Sequence, residues 1–366
     1  MTTSTPGLLR RSRCLRLLAL AGLLAGACAP GSPIATTSEG GVGPPLASAT
    51  PLGPVNATFQ PTPAPRALTE AGCCARHWWS SDGSRVLYID DPPGNSPLGI
   101  YAAPTARGKA SLVSTSFSED DLAAEDAPPE LMAPNDPGDP SLRLPADADN
   151  VRLSPDGTAV AWTVGSSLPV NVDRRQRSLW VVGGPTELRR RLALLTGGDL
   201  VGWAFDGEAV VASGRVSADG GPGIWRIPID GSLPTQLAEA ERPRSARLSP
   251  TARWLAYYLA FETEPARNGL WIVGTSGQAA RQLPSFGSFR WGADERLFFI
   301  PFVAEDRPLT LAAFDPATGM TEVVREAEAF PGGIAGNDWS VSPDGRWVVY
   351  RSATDAALWI VPLSGE

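Results

Sequence analysis

A four-residue turn, Ser-Pro-Asp-Gly or a close variant, recurs six times along this chain, each time between two short apolar runs. The last copy is the clearest. Trp339-Ser-Val341 leads into Ser342-Pro-Asp-Gly345, Trp347-Val-Val-Tyr350 leaves it, and Ala357-Leu-Trp-Ile-Val-Pro362 follows after a polar gap. Proline presets φ at the first corner, aspartate bonds its own backbone and glycine takes the left-handed position. The flanking valines and aromatics favour strands, and no helical period competes with them. Each copy therefore reads as strand, turn, strand, loop, strand. Such a unit cannot bury its apolar faces alone; it needs copies of itself on either side.

The first unit has Trp79-Ser-Ser-Asp-Gly83, Val86-Leu-Tyr-Ile89 and Gly99-Ile-Tyr101. The second has Leu153-Ser-Pro-Asp-Gly157, Val160-Ala-Trp162 and Leu179-Trp-Val-Val182, and the third Trp203-Ala-Phe-Asp-Gly207, Ala209-Val-Val211 and Gly223-Ile-Trp225. In the fourth the turn decays to Ser249-Pro-Thr-Ala252, yet Trp254-Leu-Ala-Tyr257 and Gly269-Leu-Trp271 keep the frame. The fifth is weakest, with Trp291-Gly-Ala-Asp-Glu295, Leu297-Phe-Phe-Ile300 and Leu309-Thr-Leu311.

A fourth strand follows the third in each unit, as in Gly277 to Leu283, except in the sixth. The missing strand is expected from the other end, at Arg66-Ala-Leu-Thr69, which would close a ring and remove exposed sheet edges. The predicted fold is all-β: a six-bladed β-propeller of four-stranded blades over residues 66–366, closed by an N-terminal strand. Trp162, Trp180, Trp225, Trp254, Trp271, Trp347 and Trp359 read as interblade core.

These copies resemble the TolB-like propeller repeat, a WD-repeat-like element, over about Arg66 to Glu366. The resemblance implies a six-bladed propeller of the bacterial envelope that binds other proteins across one face. The separate N-terminal domain of TolB itself has no clear copy here, so that protein's partners do not carry over.

Ahead of the repeats, Arg10, Arg11, Arg13 and Arg16 precede an apolar run, Leu17 to Leu24, and then Ala25-Gly-Ala-Cys28. This is the pattern of a secretory leader. The small residues before Cys28 resemble a lipobox, which implies a lipoprotein signal peptide at 1–27 and lipidation of Cys28, although Ala25 stands where leucine is usual. Residues 28–65 are Gly, Pro, Ser, Thr and Ala with almost no charge and read as a disordered tether. The expected location is exported and lipid-anchored to the cell envelope, on its periplasmic or extracellular face, with a monomeric head touching the bilayer only through acyl chains. Losing the leader's four arginines takes the formal charge from −8 to −12, which repels nucleic acid.

The chemistry available is narrow. His77 is the only histidine, and no Gly-x-Ser-x-Gly elbow occurs, so neither a hydrolase triad nor a His/Cys zinc site is expected. Propeller peptidases resemble this repeat but need a large hydrolase domain after the last blade, and none is expected here. The reading is non-enzymatic, with no catalytic residue, cofactor or metal. Cys73 and Cys74 are adjacent and read as separate buried thiols, a bridge between neighbours being strained.

Aligning the units on their turns brings out one level of charge. Three residues before the turn aspartate or its equivalent stand Trp79, Leu153, Trp203, Leu248, Trp291 and Val341, all apolar. One residue earlier stand Trp78, Arg152, Gly202, Arg247, Arg290 and Ser340, on the other strand face. Arg152, Arg247 and Arg290 are candidates for lining the channel and binding an anion such as a partner's carboxylate. The competing reading stacks each arginine on a tryptophan or pairs it with an acid such as Asp338. His77, on the innermost strand of the first unit, reads as packed rather than as a ligand. An acidic, then Pro-rich stretch at 114–148 reads as a surface insertion. The expected function is a protein- or peptide-binding module. The alternatives are a sensor for a small anion or glycan, and a lactonase- or glycosidase-like channel enzyme.

Overall fold

The computed structural model describes residues 64–74, 76–92, 94, 96–116, 144–165, 174–183, 189–216, 220–283, 286–302 and 309–363. All belong to one compact unit, Thr58–Glu366. The signal peptide, Cys28, nearly all of the tether and most of the 114–148 insertion lie outside the described residues.

Six four-stranded antiparallel sheets form, one per sequence unit. Their first strands are Arg76–Trp79, Asp149–Leu153, Leu200–Trp203, Arg244–Leu248, Gly287–Trp291 and Ile334–Val341. Each pairs through the repeated turn with its successor, in registers such as Trp79↔Val86, Leu248↔Leu255 and Val341↔Val348. The turn closes as its residues require. In the second sheet Ser154 Oγ donates to Asp156 Oδ1 at 2.6 Å and accepts from the Ala159 amide at 2.9 Å, with Gly157 at φ 72°.

The decayed fourth turn is repaired by its neighbour. Thr251 stands where the aspartate should be, and the carboxylate comes instead from Glu295 in the fifth sheet's turn. It accepts from Ser249 Oγ at 2.6 Å and from the Thr251 amide at 2.8 Å.

Adjacent sheets share apolar clusters. Leu195 and Trp203 join the second and third, Ile224 and Tyr257 the third and fourth, Ile272 and Phe299 the fourth and fifth, Phe298 and Tyr350 the fifth and sixth, and Leu358 and Tyr88 the sixth and first. First strands of neighbouring sheets touch one another, the third with the second and fourth and the fifth with the sixth. The architecture is a six-bladed propeller with these strands innermost. Near the start of blade two, Leu144 and Ala148, the described end of the insertion, pack against the cluster holding Trp162.

Closure follows the expected route. Arg66 pairs with Ile360 and Ala67 with Trp359, completing the sixth sheet from outside. The Leu68 amide donates to the Leu358 carbonyl at 2.7 Å, and the Gly72 amide to that of Asp355 at 2.7 Å. Arg66 also reaches into blade one, donating to the carbonyls of Pro104, Thr105 and Ala106 at 2.7, 2.6 and 2.9 Å. The segment therefore ties two blades together.

Two expectations about the core need correction. Of the tryptophans assigned to it, Trp162 is fully buried, Trp180, Trp225, Trp254, Trp271 and Trp359 are half-buried but pack against the clusters as expected, and Trp347 is half-buried and belongs to none of them. The other fully buried tryptophan is Trp339, on an innermost strand. Cys73 and Cys74 are bonded to each other rather than separate, because the chain kinks there, with Cys74 at φ 92°, instead of alternating as a strand.

Candidate functional site

The apolar residue three places before each turn aspartate or its equivalent sets the ring's geometry. Trp79 Nε1 donates to Ser340 Oγ at 3.0 Å, Trp203 Nε1 to the Arg152 carbonyl at 2.9 Å, and Trp291 Nε1 to the Arg247 carbonyl at 3.0 Å. Tryptophans of blades one, three and five thus reach blades six, two and four, which carry the smaller Val341, Leu153 and Leu248 at the same place. The ring alternates large and small, and two of the three reaches fix the backbone of the arginine level while the third holds the Ser340 side chain. Gly202 in blade three fits this packing: a Cβ there would press on the side chain of Leu248 in blade four.

At that level the three arginines differ. Arg290 donates from Nε to the Trp339 carbonyl at 3.0 Å, from Nη1 to Phe289 at 2.8 Å and from Nη2 to Asn337 at 2.9 Å, and its guanidinium lies 5.3 Å from the Trp339 ring centroid. It therefore stacks on tryptophan, as the competing reading has it. Arg152 donates to the Val151 carbonyl at 2.9 Å, and burial lowers its pKa against the opposing pull of Asp199. Arg247 is half-buried. Trp78 is half-buried beneath Arg76, whose guanidinium is 5.7 Å from its ring.

His77 and Asp338, distant in sequence, meet where blade six adjoins blade one. His77 Nδ1 lies 3.3 Å from Asp338 Oδ1, and Arg351 Nε lies 2.8 Å from Asp338 Oδ2. Asp338 therefore serves Arg351 and His77 together. The His77 side chain is 6% exposed. Burial lowers its pKa, Asp338 raises it by less, and Arg351, Arg290 and Arg76 lower it further. The imidazole is neutral near pH 7, with Nδ1–H directed at Asp338 and no hydrogen bond to Nε2 among the described residues.

Arg290 is also a neighbour of Tyr258 in blade four. Burial raises the Tyr258 pKa while Arg290 lowers it, and its buried hydroxyl has no hydrogen-bond partner among the described residues. The ring packs 5.0 Å from Phe286 and 5.1 Å from Phe289, and Phe286 lies 5.6 Å from Phe302, which is 59% exposed. One end of the innermost strands therefore carries a clamped neutral imidazole, guanidinium groups, an unsatisfied phenol and an aromatic ledge. Arg351, Tyr258 and the ledge lie on or beside second strands, where no repeated motif marks them. Bringing Arg351 to Asp338 also depends on an irregularity in strand register between Ile334 and Trp339.

The histidine sets a pH dependence. Its folded pKa lies below the usual 6.5, so the unfolded chain takes up a proton that the folded chain refuses. Stability is expected to be full above about pH 6.5 and to fall as the pH drops through the range between the two values. Denaturant titrations of His77→Gln should show a flatter acid limb than the parent; equal slopes would exclude a buried neutral His77.

No family model matches the chain, and no curated protein matches it. Similar solved structures include an oligogalacturonate lyase in complex with manganese, 14% identical over 83% of this chain and 94% of that one, TM-score 0.45. A putative TolB from Agrobacterium tumefaciens is 16% identical over 81% and 91%, TM-score 0.35. A prolyl endopeptidase is 13% identical over 82% of this chain but only 42% of its own, TM-score 0.41. The similar structures thus include TolB and other β-propeller proteins. The expectation that the chain is not an enzyme is corrected: propellers of this shape include a lyase and a peptidase as well as TolB, so the fold does not separate the two classes. The physical reason is that a propeller fixes a scaffold, while activity depends on the few side chains grafted onto its channel.

Proposed function

We propose that the propeller binds a carboxylate-bearing ligand at the end of the innermost strands where His77, Arg290 and Tyr258 converge. We further propose that the ligand is an acidic peptide segment of an envelope protein, and that the head is exported and anchored through a lipidated Cys28. The observation that carries the site is the convergence itself. Arg290 lies within the electrostatic reach of both His77 and Tyr258, the His77 side chain is 6% exposed, and the buried Tyr258 hydroxyl has no protein partner among the described residues. Such a hydroxyl costs free energy until a ligand satisfies it, and guanidinium groups suit a carboxylate.

Calorimetric titration with a glutamate-rich peptide is expected to give saturable binding. The Arg152→Gln, Arg247→Gln, Arg290→Gln triple variant should bind at least about tenfold more weakly, the equivalent of about 1.4 kcal/mol. Undiminished affinity in a folded triple variant would remove the proposal. Loss of labelled palmitate incorporation in Cys28→Ser tests the anchor.

The clamped imidazole favours a second reading, in which Nε2 takes a proton from carbon next to the bound carboxylate and the freed electron pair forms a C=C bond. That pair expels the oxygen on the neighbouring carbon, the oxygen takes up the proton, and Asp338 steadies the imidazolium in between. An oligogalacturonate as probe separates the two. Turnover that His77→Gln abolishes without loss of binding supports proton transfer, and binding without turnover supports the peptide module.

A further inference from the structure

The bonded pair Cys73–Cys74 lies in the seam where the closing segment meets blade one and takes no part in the roles assigned above. The two residues are 5% and 9% exposed, packed with Val86, Tyr88 and Tyr101 of blade one and Val349 and Leu358 of blade six. The seam is held by backbone just ahead of them, through Leu68 to Leu358 and Gly72 to Asp355. One ionisable group reaches the pair. A carboxylate oxygen of Asp90, at the end of blade one's second strand, and both sulfur atoms all lie within 4.8 Å of one another.

We infer that reduction of Cys73–Cys74 converts this seam into a binding site for a thiophilic divalent cation of the zinc and cadmium type, with both sulfurs and Asp90 as ligands. While the bond stands, neither sulfur can be a thiolate, and the thiolate is the ligand. A dithiol supplies two electrons and two protons, becoming a disulfide itself and leaving two cysteine thiols. A bound cation then displaces the two thiol protons. Two sulfurs and one carboxylate oxygen fill three positions of a tetrahedron, whose metal–ligand distances of about 2.0–2.3 Å suit donors within this reach of one another, and the fourth position takes water. Burial raises the Asp90 pKa although the Asp91 amide bonds its carboxylate, so a cation beside it would offset an existing cost. The site acts as a redox gate, closed when oxidised and metal-binding when reduced. It stands apart from the channel reading and would survive its failure.

The test uses the full chain with Cys14→Ser and Cys28→Ser, so that Cys73 and Cys74 are its only thiols. A trialkylphosphine and water reduce the bond, the oxygen leaving as phosphine oxide and two protons and two electrons going to sulfur. Cadmium is then added and the thiolate-to-cadmium absorption followed. One equivalent is expected to bind after reduction and none before. Asp90→Asn should weaken binding at least about tenfold, and Asp90→Glu should restore part of it. Cadmium bound equally by the oxidised chain, no cadmium bound after reduction, or unchanged affinity in Asp90→Asn would each overturn the inference. A reduced chain that no longer melts cooperatively would overturn it too, because the site needs the folded seam.

Discussion

Trp339→Ala is expected to lower the free energy of unfolding by about 3–5 kcal/mol, the range for emptying a buried aromatic position. Trp339 is fully buried on the innermost strand of blade six, within the cluster that joins it to blade five. Its Nε1 donates to Ser288 Oγ at 2.9 Å in blade five, and its face carries the guanidinium of Arg290. Truncation leaves a cavity, a buried hydroxyl without its donor, and an arginine that has lost its platform. Trp359→Ala is the control, a half-buried ring at the edge of the same cluster, and should cost less. Denaturant midpoints at unchanged slope measure both. Equal losses would mean that the blade five to six seam is not anchored at its inner edge. Because Arg290 rests on this ring, Trp339→Ala should weaken peptide binding as well.

Leu68→Pro should cost about 1–3 kcal/mol for the Leu358 carbonyl it leaves without its donor, in addition to the lost packing. The Leu68 amide is one of the few backbone donors holding the closing segment to blade six, and the side chain packs against the cluster with Cys73, Val86 and Leu358. Once that segment lifts, the outer edge of Leu358–Pro362 is unpaired and open to other chains. Aggregation during unfolding should therefore rise with the loss in stability. Leu68→Ala keeps the amide and loses only packing, so it separates the two contributions. A proline variant no less stable than the alanine variant would show that closure does not depend on this bond.

The fold was legible because its determinants are local and repeated. Ser154, Pro155, Asp156 and Gly157 make their turn from their own atoms, and the adjoining apolar runs can only be strands. Six weak copies in register amount to one strong statement. The lone closing strand was legible for the same reason, since Arg66 to Thr69 continue a pattern that the sixth unit lacks. Glu295 was not legible as a substitute for the missing aspartate of blade four, because nothing in its own unit calls for it; the need lies in Ser249 and Thr251, across a blade boundary.

The site was half legible. The arginine level came from alignment of the units, with tryptophan and Asp338 as candidate partners, but which group meets which did not. Sequence alone determined that this chain makes six strand-rich units closed end to end, because turn chemistry and strand alternation act over a few residues. Only the tertiary structure decided that Asp338 faces His77 and Arg351, that Arg290 lies on Trp339 beside Tyr258, and that Cys73 and Cys74 are joined next to Asp90. Those meetings are set by how neighbouring blades tilt and wedge together, by a register irregularity and by a single backbone kink, none of which leaves a repeated trace in the chain.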